Sequence, residues 1–458
     1  MARLAAFLLF CLAPGWAQNS TQPAIGPDSG PEEFKVYSEH PRLLLPARRL
    51  RLLRREKERD SIRWQQFRVV MTSKVELPEK GFANALYYIA SQDAAYGKEA
   101  VKWALSPQGA DLRQLALIFD WCHDVLSDSE KQSLSARMVK LMEQEARSQS
   151  TASVRSRVLA AVALIDHVPE VPEKTLRAIW TEWWMGKLVP AIRKSRQSFA
   201  LTDSYPLLEI MHVIRDNFNF DMRDNALAFF RDFPIHRVLS YYPAVFPAAE
   251  NFYRIPQYPG TGEPDLAQAV ISRAADLAVV AFDANAQEHQ FVQGWLIQDR
   301  FVMRGAAGIP YEFLWANPYQ PGLSYHHLPH FYHDPNAGLL YLRSNWEEDA
   351  MWLSYAGGQI ELFMDGRRSG LKPVALKEAL PIGDHLVMLG DKEMQFTLNL
   401  PTATRYFLLG LKPRTWYELE VDDEELRDER TDAGGILVLN FPASAGVGVQ
   451  LRESAYQK

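Results

Sequence analysis

The sequence has 458 residues, of which 47% are hydrophobic and 23% are charged. That length and apolar content supply two or more packed domains and exclude a disordered or fibrous protein. The formal net charge of −6 excludes a whole-molecule field that would attract nucleic acid, so we expect no nucleic-acid partner. Any acidic ligand must meet a local basic patch.

Residues 1–17 have the order of a secretory signal peptide. Arg3 precedes an apolar run from Leu4 to Leu12, and small residues lead to a cleavage site after Ala17. The apolar run is too short to span a bilayer stably. We therefore expect a mature chain that starts at Gln18, has no membrane span after cleavage, and is periplasmic or secreted.

A flexible linker and a helical domain follow the leader. Residues 18–33 are rich in Ser, Thr, Pro and Gly, which is typical of a linker. From residue 34 to 320, apolar residues recur at three- and four-residue spacing in about eleven segments, which predicts helices. Clear examples are 112–125, 129–146, 154–166, 174–194, 206–217 and 264–282. Cys122, the one cysteine beyond the leader, is expected to be a buried structural thiol.

A β domain is predicted for residues 321–458. After a loop at 318–330 the apolar period changes to two and turn residues become frequent. Short strands are predicted at 339–343, 351–355, 359–364, 385–389, 394–398, 406–411, 417–421, 436–441 and 447–451. A run of helices followed by a run of strands indicates two stacked domains, the second a β-sandwich.

Three stretches carry a resemblance to a known family. They are His40-Pro41-Arg42-Leu43-Leu44-Leu45, then Ala116-Leu117-Ile118-Phe119-Asp120-Trp121, then Asn336-Ala337-Gly338-Leu339-Leu340-Tyr341-Leu342-Arg343-Ser344-Asn345-Trp346. Together with the order of elements, they make nearly the whole mature chain similar to the heparinase II/III and alginate lyase superfamily. The resemblance implies a multidomain α-then-β fold, an incomplete (α/α) toroid followed by an antiparallel β-sandwich. It also implies β-elimination on a uronic-acid glycan.

That chemistry needs a group to neutralise the carboxylate, a base and an acid. The resemblance implies Asn or His for the first role and Tyr with His for the others. Residues 148–153 and 356–362, which match the family's Asn-His and sandwich His positions, contain none of these. Tyr205 matches the family's tyrosine. Pro206 fits the first turn of the next helix, so Tyr205 would stand at a helix N-terminus, where the dipole favours phenolate.

One helix face offers substitutes for the missing carboxylate neutraliser. Glu209, His212 and Arg215 recur at three-residue spacing and so share this face. If the face points into the toroid, His212 and Arg215 can contact a uronate. The alternative is an ordinary solvated or core-edge face.

The domain junction offers substitutes for the missing proton-transfer groups. His326, His327, His330 and His333 lie close together in the sequence. We expect His330 and His333 to take part in catalysis from a polar cleft. Their spacing fits no standard zinc site, so we expect no metal and no cofactor, with zinc as the alternative.

Aromatic and basic residues supply a predicted glycan platform. Tyr241, Tyr242 and Tyr258 belong to a Pro-rich run that is poor helix material and is expected to form a long loop. Sugar rings stack on exposed aromatic faces. Arg193 and Arg196 are expected to add a local positive field for an acidic polysaccharide or oligosaccharide.

The sequence favours an exported polysaccharide-lyase-like protein that acts on an acidic glycan by β-elimination. A non-catalytic glycan-binding or envelope-assembly protein with a degenerate lyase fold is the alternative. A glycoside hydrolase ranks below both, because Asp120 and Asp124 lie one turn apart instead of facing each other across a substrate. We interpret Asp120 as structural.

Overall fold

The structure is a computed structural model that describes residues 34–36, 39–195, 199–248, 251–260, 262–299, 303, 305–371, 378–422 and 425–455. The predicted signal peptide, the predicted linker and Arg196 lie outside these residues. Within them, no helix is both long and apolar enough to cross a membrane.

The N-terminal part of the described chain is helical. Its α-helices are α1 (Ala47–Glu58), α2 (Ile62–Thr72), α3 (Lys80–Ser91), α4 (Ala94–Leu105), α5 (Leu112–Trp121), α6 (Asp128–Gln144), α7 (Thr151–Leu164), α8 (Glu170–Ala178), α9 (Val189–Lys194), α10 (Ser204–Phe218), α11 (Leu227–Leu239), α12 (Leu266–Phe282), α13 (Gln287–Gln298) and α14 (Gly305–Trp315). Polar caps fix several starts. Ser127 and Glu130 form a capping box at α6, and Ser150 caps α7.

The helix predicted at 174–194 is interrupted. A π-helical segment, Ile179–Leu188, separates α8 from α9. Pro190 lies in the first turn of α9 and has no N–H to donate to the carbonyl four residues earlier. The π-helical turns before Pro190, which are wider than α-helical turns, accommodate the missing hydrogen bond.

The helices form two concentric layers. The inner helices α3, α5, α7, α10, α12 and α14 pack against one another in this order, and α14 also contacts α2 and α3. Every residue of α5 is buried, as expected for a helix surrounded by others. Helices α4, α6, α8, α11 and α13 pack outside this ring. The predicted toroid is confirmed.

The strands follow the helices, apart from one short hairpin within the helical part, β1 (Phe246–Ala248) with β2 (Asn251–Tyr253). The others are β3 (Phe331–Asp334), β4 (Leu339–Arg343), β5 (Trp352–Ala356), β6 (Gln359–Met364), β7 (Arg367–Leu371), β8 (Leu380–Ile382), β9 (His385–Leu389), β10 (Glu393–Leu400), β11 (Thr404–Leu409), β12 (Trp416–Val421), β13 (Glu425–Arg430), β14 (Leu437–Phe441) and β15 (Ser444–Glu453). Each of the nine predicted strands is present, and each of its ends lies no more than three residues from the predicted bound.

The described strands β3 to β15 form three sheets, which are stacked on the helical ring. Sheet I has the strand order β3-β4-β5-β6-β7, sheet II the order β14-β11-β9-β8, and sheet III the order β10-β15-β12-β13. Pairing among these described strands is antiparallel except between β9 and β11. The fold class predicted from the sequence, helical toroid and then β-sandwich, is confirmed.

Strand alternation explains why the middle layers are buried on both faces. Along β11, Tyr406 and Leu408 pack in the core between sheets II and III, whereas Phe407 and Leu409 pack in the core between sheets I and II. The same alternation in β4 turns Tyr341 toward the helical domain. Sheet I therefore belongs to both domains.

The junction between the domains is a packed core. Helix α14 ends at Trp315 and β3 begins at Phe331, and the predicted boundary at 320/321 falls between them. Tyr341 and Trp352 from sheet I join the hydrophobic core of the helical domain. The Trp352 indole donates to the carbonyl of Leu239, the last residue of α11, at 2.8 Å.

Candidate functional site

A cleft of about 850 Å³ opens between sheet I and the Pro-rich loop of the helical domain, the segment after α11 that contains Tyr242 and Tyr258. We call it the junction cleft. It is lined by aromatic, amide, hydroxyl and charged side chains, among them Tyr242, Phe246, Gln257, Tyr258, Ser354, Glu361, Phe363 and Arg368. Concave, partly apolar surfaces with a few convergent polar groups are the usual form of ligand sites.

The charged residues reach the cleft through strand alternation. Ile360 and Leu362 of β6 pack toward sheet II, so Glu361 and Phe363 point the other way, toward the helical domain. Arg368 of β7 pairs with Phe363 across the antiparallel ladder and shares its face. Sheet I thus presents one anion and one cation to the cleft.

The helical domain contributes the opposite wall. The Tyr242 N–H donates to the Ile255 carbonyl at 3.0 Å, and the Gln257 N–H donates to the Ser240 carbonyl at 2.7 Å. These bonds fold the loop back on itself. Tyr242 and Gln257 are thereby held against sheet I.

A hydrogen-bond network joins the two walls at Glu361. This carboxylate accepts from the Tyr242 hydroxyl at 2.6 Å, from Gln257 Nε2 at 3.1 Å and from Arg368 Nε at 2.5 Å. Gln257 also donates to Ser354 Oγ at 2.7 Å and accepts from the Tyr341 hydroxyl at 2.8 Å. Burial raises the pKa of Tyr242, and the bond to Glu361 raises it further, so its phenol is protonated at neutral pH.

Several contacts fix the guanidinium of Arg368. Its Nη2 donates to the Tyr258 and Gly260 carbonyls at 3.1 and 2.9 Å, and its carbon Cζ lies 3.9 Å from the Tyr258 ring centre. The Tyr258 side chain also interacts with the guanidinium, which has five N–H groups. The cation is held in place at the wall of the junction cleft.

Tyr205 lies in a separate cluster inside the helical ring. It stands at the start of α10, as predicted, but its hydroxyl donates to Glu209 at 2.6 Å and accepts from the Trp315 indole at 3.0 Å. Burial and the charge of Glu209 raise its pKa well above the usual value. The phenolate expected from the helix dipole is therefore wrong, because burial and a neighbouring anion outweigh the dipole.

The rest of the predicted helix face is core. His212 is fully buried, and its Nε2 lies 2.9 Å from the Ala278 carbonyl. Burial lowers its pKa well below the usual value. Arg215 is partly exposed but pairs with Asp216 at 2.8 Å and bonds the Phe282 carbonyl. The burial of His212 agrees with the core-edge alternative given for this face, and contact of His212 and Arg215 with a uronate stays a prediction.

The junction histidines do not converge. The His333 ring lies 2.9 Å from Asp432 within the β domain, and the His330 ring packs 5.8 Å from Trp346. The His326 ring packs against its neighbour Tyr325, with ring centroids 4.5 Å apart. None of the described contacts of Tyr205 is to His330 or His333, so the predicted catalytic set is not assembled here. The catalytic roles proposed for these residues stay predictions.

The predicted platform residues separate into two groups. Tyr242 and Tyr258 line the junction cleft. Tyr241 is buried instead, and its hydroxyl donates to Asp276 at 2.6 Å. Arg193 is exposed on α9 and donates to the Asn225 carbonyl at 3.2 Å, outside the cleft lining.

Asp120 and Asp124 have separate structural partners. Asp120 is buried and accepts from the backbone N–H groups of Arg42 and Leu43 at 2.9 and 2.8 Å, as expected for a structural residue. Asp124 accepts from the Tyr88 hydroxyl at 2.7 Å. They do not form a hydrolase carboxylate pair.

Sequence reasoning missed Arg368, Glu361 and Gln257. A signal for Arg368 was present, because Asp365-Gly366 is a strong two-residue hairpin sequence between β6 and β7. Both residues have positive φ, 52° and 72°. The hairpin would have predicted β7 and placed Arg368 beside β6.

No family model matches the chain, and no curated protein matches it. Among solved structures, a glycoside hydrolase matches at 11% identity and TM-score 0.30, covering 82% of this chain and 71% of that one. Heparan sulfate lyase HepC from Pedobacter heparinus matches at 13% identity and TM-score 0.35, covering 82% and 76%. A mutant of the same lyase matches at 12% and 0.34, with the same coverage. Likenesses at these TM-scores carry no weight on activity.

Proposed function

We propose that the protein binds an acidic oligosaccharide in the junction cleft. The observation that carries this proposal is Arg368, a fixed guanidinium placed beside aromatic rings in an open cleft. A planar guanidinium suits a carboxylate, and aromatic faces suit sugar rings. A location outside the cytoplasm is part of the proposal, and the leader sequence supports it.

The Arg368→Ala variant is expected to bind uronic-acid oligosaccharides at least about tenfold more weakly, because a hydrogen bond to a charged group contributes about 1.5–3 kcal/mol. Titration calorimetry with oligogalacturonate and with its methyl ester checks this. The ester keeps the sugar rings and lacks the charge, so its affinity should change little. Tyr258→Ala should weaken the binding of both oligogalacturonate and its methyl ester, because both ligands stack their sugar rings on the aromatic face.

The matched control is Arg452→Ala, which removes an exposed cation from sheet III that pairs with Glu418 and Glu420. It should bind both ligands as the wild type does. Equal affinities for wild type, Arg368→Ala and Tyr258→Ala across a panel of uronic-acid glycans would contradict the proposal.

A second candidate function is β-elimination in the same cleft. The network around Glu361 combines a cation, a carboxylate and a protonated phenol, the three kinds of group that elimination beside a uronate needs. Arg368 would neutralise the substrate carboxylate, Glu361 would take the neighbouring proton, and Tyr242 would protonate the departing glycosidic oxygen. The new C=C bond takes the electrons of the broken C–H bond.

Tyr242→Phe is expected to abolish formation of the unsaturated uronate, measured by its ultraviolet absorbance, while oligosaccharide binding persists. Tyr205→Phe separates this assignment from the one made by resemblance. If Tyr205→Phe abolishes the product in a folded protein and Tyr242→Phe does not, the junction assignment is wrong. Binding without product on every glycan would leave a non-catalytic glycan-binding protein.

A further inference from the structure

Three histidines meet at one end of the helical ring, away from the junction histidines considered from the sequence. His40 lies in the segment before α1, His123 follows the end of α5, and His167 follows the end of α7. One ring nitrogen from each lies within 4.8 Å of the others. No other described group of His, Cys, Asp and Glu side chains converges in this way.

Asp120 fixes the tautomer of His40. Its carboxylate lies 2.6 Å from His40 Nδ1 and also accepts the N–H groups of Arg42 and Leu43. An ionised carboxylate has no proton to donate, so Nδ1 of His40 is the donor and Nε2 of a neutral ring carries the lone pair. A carboxylate behind a histidine is the usual outer contact of a metal-bound imidazole.

The lone pair of His40 has no hydrogen-bond partner in the part of the chain that the structure describes. The side chain is 7% exposed, and Nε2 has no hydrogen bond among the described residues. Asp166 Oδ2 lies 3.8 Å from it, beyond hydrogen-bonding distance. Nδ1 of His123 is likewise buried without a hydrogen bond. Buried polar atoms without partners are rare, and a bound ion is one of their standard explanations.

The surroundings favour a cation. Helices α5 and α7 both end at the cluster, and the C-terminal end of a helix carries partial negative charge. Asp166 adds a carboxylate 3.8 Å from the His167 ring, although it also pairs with Arg42 at 2.6 Å. Three imidazoles and one carboxylate are a ligand set that zinc accepts.

We propose that His40, His123 and His167 bind Zn²⁺, with Asp166 as the fourth ligand and Asp120 as the residue that orients His40. Tetrahedral zinc with bonds of about 2.0–2.1 Å holds its ligand atoms about 3.3 Å apart. The His40 and His123 rings are stacked, with centroids 4.0 Å apart and planes 9° apart, so the His123 ring has to turn out of this stack before both lone pairs meet one ion. That rotation, together with movement of His167, brings the nitrogens, now within 4.8 Å of one another, to zinc-binding distance. The exposed turn that carries His167 leaves room for this.

Such a site has a structural consequence. It joins the segment before α1 to the turns after α5 and α7, so zinc should raise the melting temperature of the full chain. It is independent of glycan binding, since it shares no residue with the junction cleft.

The test measures zinc in the untagged full chain by mass spectrometry after dialysis, and zinc affinity by competition with a chromophoric chelator. We expect one zinc per chain. His167→Ala, a change at an exposed side chain, should weaken binding at least about tenfold. The double variant His123→Ala with His167→Ala should retain no zinc.

The matched control is the double variant His326→Ala with His327→Ala, which removes two exposed histidines outside the cluster and should bind zinc like the wild type. Circular dichroism and the zinc-free urea midpoint establish that each variant is folded. Cobalt substitution should give tetrahedral d–d absorption in the wild type and in the control. The double variant His123→Ala with His167→Ala should lack this absorption. A wild type that holds no zinc, or a folded double variant that holds as much as the wild type, would overturn the proposal.

Discussion

Replacing Glu209 with alanine is expected to lower the free energy of unfolding by about 3–5 kcal/mol, the usual cost of removing one partner of a buried ion pair. Glu209 is fully buried on α10 and accepts two bonds from Arg113 of α5, at 2.9 and 2.6 Å. Arg155 of α7 lies 3.3 Å away. Without Glu209, two cations of the inner ring lose their shared anion.

The ion pairs around Glu209 also connect to α14. Arg113 donates to Glu79 at 2.9 Å, and Glu79 accepts from the Tyr311 hydroxyl. Four inner helices are therefore joined through one ionic network. Since folded domains are stable by only about 5–15 kcal/mol in total, the Glu209→Ala variant should lose a large share of that stability.

Urea unfolding followed by far-ultraviolet circular dichroism measures the effect. The matched control is Glu173→Ala, which removes an exposed carboxylate that pairs with Arg177 one turn later and should cost no more than about 0.5 kcal/mol. Glu209→Gln, which keeps the side-chain volume, should fall between the two. A Glu209→Ala midpoint equal to that of Glu173→Ala would show that the network is energetically neutral.

The contribution of Glu209 to the free energy of unfolding should depend on pH. Burial opposes ionisation of Glu209, but Arg113 and Arg155 outweigh it, so its pKa lies below the ordinary value of 4.5. A lowered folded-state pKa stabilises the protein fully above about pH 4.5, and this contribution is lost as the pH falls through the folded-state pKa. The difference in the free energy of unfolding between wild type and Glu209→Ala should therefore become smaller as the pH falls below about 4.5.

The Trp352→Ala variant is expected to lose about 3–5 kcal/mol as well, for a different reason. The side chain is fully buried between sheet I and the helical domain. It packs 5.0 Å from the Tyr242 ring and donates to the Leu239 carbonyl. The change creates a cavity in the core shared by both domains and leaves a buried carbonyl without its donor.

The measurement compares far-ultraviolet and near-ultraviolet signals during urea unfolding. In the wild type we expect one transition, because the domains share a core, whereas Trp352→Ala should unfold earlier and separate the two signals. Trp352→Phe, which keeps an aromatic ring, should lose less. Leu426→Ala, at a side chain that is 64% exposed on β13, serves as the control and should be neutral. Separate transitions already in the wild type would contradict a shared core.

Local pattern predicted most of the fold. Strands such as β4, β6 and β9 were predicted at their observed bounds because short apolar runs bounded by turn residues have to face one core or two. The shorter β3 and the polar β13 lack that alternation and were missed. The interruption of the long helix before Pro190 was missed too, since apolar periodicity does not distinguish α from π spacing.

The site was harder to predict than the fold. Periodicity showed that Glu209, His212 and Arg215 share a helix face, but it does not tell whether that face lines a cleft or fills a core. Tyr242 and Tyr258, expected on an exposed loop, line the junction cleft, whereas Tyr241 from the same run is buried, and their role in glycan binding stays a prediction. Arg368 was missed because its position depends on strand pairing between distant layers.

The core shared across the junction has a consequence for kinetics. Both walls of the junction cleft belong to one packed body, so entry of a ligand requires no hinge closure between domains. Association should then be a single step, with an observed rate that rises linearly with oligosaccharide concentration and does not level off. The cleft acts as a groove already shaped before its ligand arrives, and affinity differences among glycans should appear mainly in how long each one stays.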